Sequence, residues 1–431
     1  MNKSIGRGKC IGFGDLGEMQ NLELILSRRN LYKRRHRLEG EGISIMNQRI
    51  NRSIRVAEPV LDGNEALYVM DCLESTWISS RGSYIDRFEK LLAEHCQVPF
   101  AVVTNNGTTS LHLALTAAGV GAGDEVIMPT LSYIATANAA HYCQAKPVFV
   151  DCEPNYLSMD PERIERAITP STKAILTVPL YGHPVDIDPI REIADRHGLL
   201  LLEDSAEAIG ALYKGRPVGS LADASSFSFF GNKTITTGEG GAITTADEQL
   251  AARMRFLRGQ AVDPNKNYWH PEVGFNYRMT NIAAAIGTAQ AERLDVHVQR
   301  RQQVAQWYFE DLTDYQDLFR LPWAAPWAKH SYWMFTILMR PELAVSRDEW
   351  ASVLADVGIE SRPVFYPIHT MPMYFERSGS YPVAEECSRL GINLPTHGKL
   401  TREDVRYVCE HVISTWKSLY RSSSKPLQRA A

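Results

Sequence analysis

The chain has few cysteines and no pattern among them. Seven are spread over 431 residues, at Cys10, Cys72, Cys96, Cys143, Cys152, Cys387 and Cys409. An odd number without a Cys-x-x-Cys pair argues against a disulfide framework and against a thiolate metal centre, so no metal site is expected and reduced thiols in a cytoplasm fit best. Long apolar runs are also missing: none approaches the roughly 20 residues that a membrane-spanning helix needs. The first residues carry charge but no apolar segment, so a secretory signal is not expected. A net charge of −4 gives no general attraction to nucleic acid or anionic membrane. Internal repeats are absent. With 44% hydrophobic and 22% charged residues, the composition is that of a soluble globular protein long enough for two or three domains.

What the sequence does have is one unusual stretch, Ser225-Ser-Phe-Ser-Phe-Phe-Gly-Asn-Lys233-Thr-Ile-Thr-Thr-Gly-Glu-Gly-Gly241. Phe227 and Phe229 alternate with serines at the period of a strand, and Gly241–Thr245 reads as a second one. Between them lies a single lysine among small and hydroxyl residues. Taken out of water, a lysine loses its preference for the ammonium form, and its free amine condenses with aldehydes such as pyridoxal phosphate. A surface lysine beside a Gly-rich hairpin turn has the same local pattern. Two further segments bear on the choice. Leu199-Leu-Leu-Leu-Glu203-Asp204 is a buried parallel strand delivering carboxylates at its C-terminal end; Asp204 either holds a pyridine nitrogen protonated or caps the next helix. Asn106-Gly107-Thr108-Thr109 opens an apolar helix, and the free N–H groups there suit a phosphate.

In this order the three segments resemble the DegT-type sugar aminotransferases, pyridoxal phosphate enzymes of fold type I. The likeness runs from about Ile54 to about Ser418, and within the family the Phe227–Gly241 stretch is similar to its GDP-perosamine synthase branch. The resemblance implies an α/β fold: a large domain (51–295) with a mostly parallel sheet flanked by helices, and a smaller C-terminal α+β domain (296–420). It implies Lys233 and Asp204 as catalytic residues. Gly107, Thr108, Thr109, Tyr133, Glu207, Ser228 and Asn276 would join them in binding the cofactor, with Tyr133 on its face, Ser228 on its phosphate, and Asn276 reaching the phosphate of a partner subunit. Trp77, Ser79, His183 and His369 become substrate candidates, each with a bland alternative as a packing or loop residue. The implied reaction moves an amino group from L-glutamate to the 4-keto carbon of a nucleotide-linked 4-keto-6-deoxy sugar, GDP-4-keto-6-deoxymannose on the branch resemblance, in O-antigen or polysaccharide biosynthesis. A cytoplasmic homodimer with composite sites, and neither nucleic acid nor membrane as a partner, completes the expectation. Rivals are an aminotransferase for another keto sugar or a cyclitol, and a regulator that kept the fold without catalysis. The family's dehydratases carry histidine at the anchoring position, where this chain has Lys233.

The remaining segments set the organisation. Residues 1–50 hold the basic run Lys33-Arg-Arg-His-Arg37 and read as a disordered extension, with Met46 as a candidate natural start. Helical spacing covers Asn64–Ser75 and Ile85–Cys96; strands are expected at Phe100–Thr104, Glu125–Met128, Pro147–Val150 and Lys173–Val178. A helix from the small-residue run Ala283–Gly287 is expected to continue through Arg293 to Arg301. Beyond it, Trp333–Met339 and Glu360–Val364 read as strands, Arg347–Val357 and Arg402–Leu419 as helices, and 421–431 as a frayed tail.

Overall fold

The computed structural model describes residues 52–341 and 345–423. The expected N-terminal extension, Met46 and Cys10 lie outside the described residues, as does the tail beyond Ser423.

Seven strands form the central sheet: β1 (Phe100–Thr104), β2 (Glu125–Pro129), β3 (Lys146–Val150), β4 (Thr172–Thr177), β5 (Leu200–Asp204), β8 (Ala224–Ser228) and β9 (Gly241–Thr245). Between β5 and β8, the short strands β6 (Leu212–Tyr213) and β7 (Arg216–Pro217) make a small separate sheet with β11 (Ala328–Lys329). The order across the main sheet is β1-β9-β8-β5-β4-β2-β3. Within it only β9 runs against its neighbours. Its strands are apolar on both faces because helices cover both, the condition under which parallel sheets form. This is the mostly parallel α/β architecture expected from the sequence.

The pairing register sets what emerges at the carboxyl edge. Asp204, the last residue of β5, lies opposite Ser226 of β8, and Ser228 closes β8 opposite Gly241 of β9. The helix Gly107–Ala117 follows β1 and packs on β8 and β9, which brings its first turn to the same edge. Two glycines permit that approach. A Cβ on Gly107 would stand 2.7 Å from the Ser228 Cβ, and one on Gly241 would stand 2.6 Å from the Asn106 backbone.

The expected helix through Arg293 to Arg301 is two helices, Asn281–Ala291 and Leu294–Leu312. The chain turns at Arg293 (φ −120°, ψ 17°). Tertiary anchors on either side of the turn override a sequence with good helix formers throughout. The buried Gln290 donates to Val60 O (2.8 Å) and Glu65 Oε1 (2.6 Å), and Arg293 pairs with Asp62 at 2.7 Å. After the longer helix comes an antiparallel sheet of β10 (Phe319–Arg320), β12 (Phe335–Met339), β13 (Arg362–Pro363) and β14 (Gly391–Leu394), in the order β10-β12-β14-β13. Its core holds Trp350 and Trp416 against Phe319. The strand expected over Glu360–Val364 shrinks to two residues, since Pro363 has no N–H to extend a ladder. Trp333 and Met334 precede β12 rather than belonging to it.

Among the described residues, no helix is long and apolar enough to cross a membrane, and no group of three His, Cys, Asp or Glu side chains is placed to hold a metal. Cys72, Cys96, Cys143, Cys152, Cys387 and Cys409 are free thiols.

Candidate active site

A cavity of about 830 Å³ opens at the carboxyl edge of the main sheet. Gly107, Thr108, Thr109, Tyr133, Asp204, Glu207, Ser228 and Lys233 all line it, so eight of the residues singled out in the sequence meet in one place.

Asp204 forms the floor. It is 5% exposed, and Thr136 Oγ1 donates to its Oδ2 at 2.7 Å. Burial pushes its pKa up, against the Thr136 hydroxyl and the charge of Lys233. Its hydrogen bonds come from a hydroxyl and, at 3.4 Å, the Ala206 N–H, so it is a buried carboxylate with no cation in bonding range among the described residues. Such a group is stabilised by a positively charged ring nitrogen placed against it. The neighbouring Glu203 points to the other face of the sheet, as strand alternation requires. It is buried, takes a bond from Ser205 Oγ (2.7 Å), and is raised to about 7 by that burial.

Lys233 sits in the turn after β8. Its Nζ is 3.6 Å from Glu207 Oε1 and 4.0 Å from the centroid of the Trp333 ring. Burial lowers the lysine pKa, with Glu207 and Asp204 opposing, and burial likewise raises Glu207 to about 7. Both shifts favour the neutral pair, a free amine beside a protonated acid. Glu207 is held by the Tyr181 N–H, which donates to Oε2 at 2.9 Å. The Asp204–Lys233–Glu207 group can therefore hold a proton, move it, and present an uncharged nucleophile.

At the other end of the cavity, the first N–H groups of the Gly107–Ala117 helix have no intrahelical acceptor. Asn106 Oδ1 accepts that of Thr109 (2.9 Å), which leaves the Gly107 and Thr108 amides at the cavity wall with the positive end of the helix dipole. Ser228 lines the same corner. The buried Oδ1 of Asn232, another lining residue, has no hydrogen-bond partner among the described residues. A phosphate-bearing aldehyde with a basic ring nitrogen fits this arrangement: an anion cradle of the Gly107 and Thr108 amides beside Ser228, a nucleophilic amine, and a buried carboxylate lacking a cation.

Five residues predicted from the sequence are elsewhere. His183 is 2% exposed, with Nδ1 against Pro184 O (2.7 Å), Nε2 accepting from the Ala325 N–H (3.1 Å), and its ring stacked on Tyr156. His369 is 3% exposed and uses both nitrogens, on Thr130 Oγ1 (2.7 Å) and Glu385 Oε1 (3.2 Å). Neither lines the cavity; both pin loops. Trp77, Ser79 and Asn276 are exposed and also outside it. The Trp77 and Ser79 carbonyls accept from Asn281, and Asn276 Oδ1 accepts from Arg278.

Other lining residues had been missed. Tyr181 and Trp333 wall the amine, and Arg362, Phe365 and Asn393 arrive from the second sheet and the segment after it; Thr136, outside the lining, orients Asp204 from behind. Arg362 and Phe365 reach the site from the segment just before His369.

Residues 59–413 match the DegT/DnrJ/EryC1/StrS aminotransferase family. The chain is 53% identical over 353 residues to a GDP-perosamine synthase of Caulobacter vibrioides, covering 82% of this chain and 95% of that one. It is 48% identical over 359 residues to a GDP-perosamine synthase of Escherichia coli O157:H7, with 83% and 97% covered. Among solved structures, a putative sugar aminotransferase of Streptococcus pneumoniae, Spr1654 in its PMP-form, superposes with a TM-score of 0.82 at 28% identity, over 86% of this chain and 100% of that one. DesV of S. venezuelae, solved in complex with a ketimine intermediate, gives a TM-score of 0.77 at 35% identity over 82% of this chain and 94% of that one. The chain belongs to the DegT/DnrJ/EryC1/StrS aminotransferase family.

Proposed function

We propose that the protein transfers the amino group of L-glutamate to the 4-keto carbon of GDP-4-keto-6-deoxymannose, as a GDP-perosamine synthase using pyridoxal 5'-phosphate. The observation that carries the reading is the buried Lys233 amine between Glu207 and Trp333, on the same cavity as Asp204 and the Gly107–Thr108 amides. The GDP-sugar follows from the 53% and 48% identities to relatives of that name.

Lys233 would anchor the cofactor, Asp204 would sit against its ring nitrogen, and Gly107, Thr108, Thr109 and Ser228 would hold its phosphate. Tyr133, 59% exposed and beside Phe365, would cover the ring. When bound, the cofactor supplies an electron sink for the carbon that loses its proton. The chain supplies the rest. Lys233 Nζ takes a proton from the carbon bearing the amine and returns one on the acceptor side, a task that its lowered pKa suits. Glu207, near neutrality in its own titration, donates a hydrogen bond or accepts a proton within reach of the same nitrogen.

The homodimer reading draws support from apolar groups left in solvent. Leu67, Met70, Leu73, Trp77 and Ile78 on one segment, and Tyr268, Trp269 and Val273 on another, are between 47% and 94% exposed. Asn276 follows the second segment. A composite site, with Asn276 serving the partner's phosphate cradle, gives these surfaces a shared purpose. A cytoplasmic location and a place in polysaccharide biosynthesis belong to the same reading.

Incubation with L-glutamate and a set of 4-keto nucleotide sugars, read by mass spectrometry, tests it. GDP-4-keto-6-deoxymannose should gain the amine; amination of a uridine- or thymidine-linked sugar in its place would reject the GDP-sugar assignment.

A further inference from the structure

Arg301, on the helix Leu294–Leu312, is 4% exposed, yet among the described residues no carboxylate bonds it. Its guanidinium is spent on backbone carbonyls. Nη1 donates to Trp333 O (3.0 Å) and, in a short contact, to Thr396 O; Nη2 donates to Lys233 O at 3.3 Å. Trp333 in turn donates from Nε1 to Asn232 O (2.9 Å) and lays its ring 4.0 Å from the Lys233 amine. Two consecutive carbonyls of the lysine turn, at 232 and 233, are thus gripped from the second half of the chain. A buried cation without a counter-ion is costly and needs a compensating reason to be there.

We propose that Arg301 is a positioning residue for Lys233: its fork fixes the lysine turn to the chain around Trp333 and Thr396, and its charge stands behind the amine. The fork explains why arginine rather than lysine occupies the place, since only a planar guanidinium reaches three carbonyls set apart in this way. The charge has a chemical consequence. From the cavity side Asp204 and Glu207 favour the ammonium form of Lys233; burial and Arg301 oppose them. Glu58 and His297 line a small space together with Arg301 and Lys233, and His397 feels the charge of Arg301; burial holds the two histidines neutral near pH 7, at about 4. Glu58 is already paired with Lys399 at 2.7 Å. Burial is the main cause that keeps the nucleophile uncharged between its two carboxylate neighbours, and the positive charge of Arg301 adds to it. Its place behind the lysine also links the turn to the part of the chain that delivers Arg362 and Asn393 to the cavity.

The inference rests on Lys233 being the nucleophile, and its test does not require turnover. In full-length protein freed of bound cofactor, labelling of Lys233 by trinitrobenzenesulfonate is followed against pH by peptide mass spectrometry. In Arg301→Met the midpoint should rise, whereas Arg301→Lys, which keeps the charge, should stay near the wild-type midpoint. An unmoved midpoint in Arg301→Met, or an equal rise in Arg301→Lys, overturns the role of the charge. If Arg301→Met does not fold, Arg301→Lys decides through kinetics. One ammonium cannot span the three carbonyls, so kcat should fall about tenfold with KM for glutamate unchanged, and an unchanged kcat overturns the role of the fork. Failure of the aminotransferase reading would appear separately, as a loaded protein indifferent to glutamate.

Discussion

At the residue scale, adjacent carboxylates on β5 have opposite fates. Asp204 faces the cavity and Glu203 the far side of the sheet, and each consequence is measurable. Asp204→Asn keeps shape and the Thr136 contact but cannot stabilise a cationic ring, so bound cofactor should persist while kcat falls about a hundredfold or more. Near-normal kcat would mean that Asp204 only shapes its loop. Glu203 makes a stability prediction. Its folded pKa of about 7 lies above the usual 4.5, so between those values the folded state holds a proton that the unfolded state releases. Stability therefore falls as pH rises through this window, and the penalty is complete above about 7, on the order of 3 kcal/mol. Glu203→Gln cannot ionise; denaturant titrations at pH 5 and pH 8 should show a smaller loss with rising pH than in wild type. Parallel losses would show that Glu203 is already charged in the fold.

The element that makes the site is the close pair of β8 with the Gly107–Ala117 helix. Gly107→Ala would set a methyl group 2.7 Å from the Ser228 Cβ and push the first helical turn off the sheet edge. Cofactor retention in equilibrium dialysis should drop by about a hundredfold, with the sheet intact by circular dichroism. Unchanged retention would remove the phosphate cradle from this corner. Elements of this kind were legible in the sequence because local signals agreed: alternation in Phe227–Ser228, an apolar run ending at Asp204, small residues opening a helix. Where tertiary forces decide, the sequence was silent. The turn at Arg293 depends on Gln290 and Arg293 finding Val60, Glu65 and Asp62, more than two hundred residues earlier in the chain. Nothing local marks it, and without it Arg301 would not lie under the lysine turn.

Over the whole molecule, the part of the cavity built from the main sheet was readable and the part built from the second sheet was not. Lys233, Asp204 and the Gly107 loop are close together on one sheet edge, so short motifs capture them. Arg362, Phe365 and Asn393 reach the same space from a second sheet, and His183 and His369 look equally eligible in sequence until their buried partners are known. The remaining question at this scale is whether sites are shared. Asn276 is exposed and outside its own chain's cavity. If it serves a partner, mixing inactive Lys233→Ala and inactive Asn276→Ala subunits should restore activity, because one hybrid site regains both groups. Verified heterodimers without activity would leave Asn276 as a residue of its own chain alone.

The central claim is that Lys233 holds pyridoxal phosphate and that glutamate converts it. Visible absorption of the protein loaded with the cofactor tests both at once. Wild type should show a band that L-glutamate bleaches and GDP-4-keto-6-deoxymannose restores, and Lys233→Ala should not complete this cycle. A band in wild type that glutamate leaves unchanged, or full cycling by a folded Lys233→Ala protein, would contradict the account.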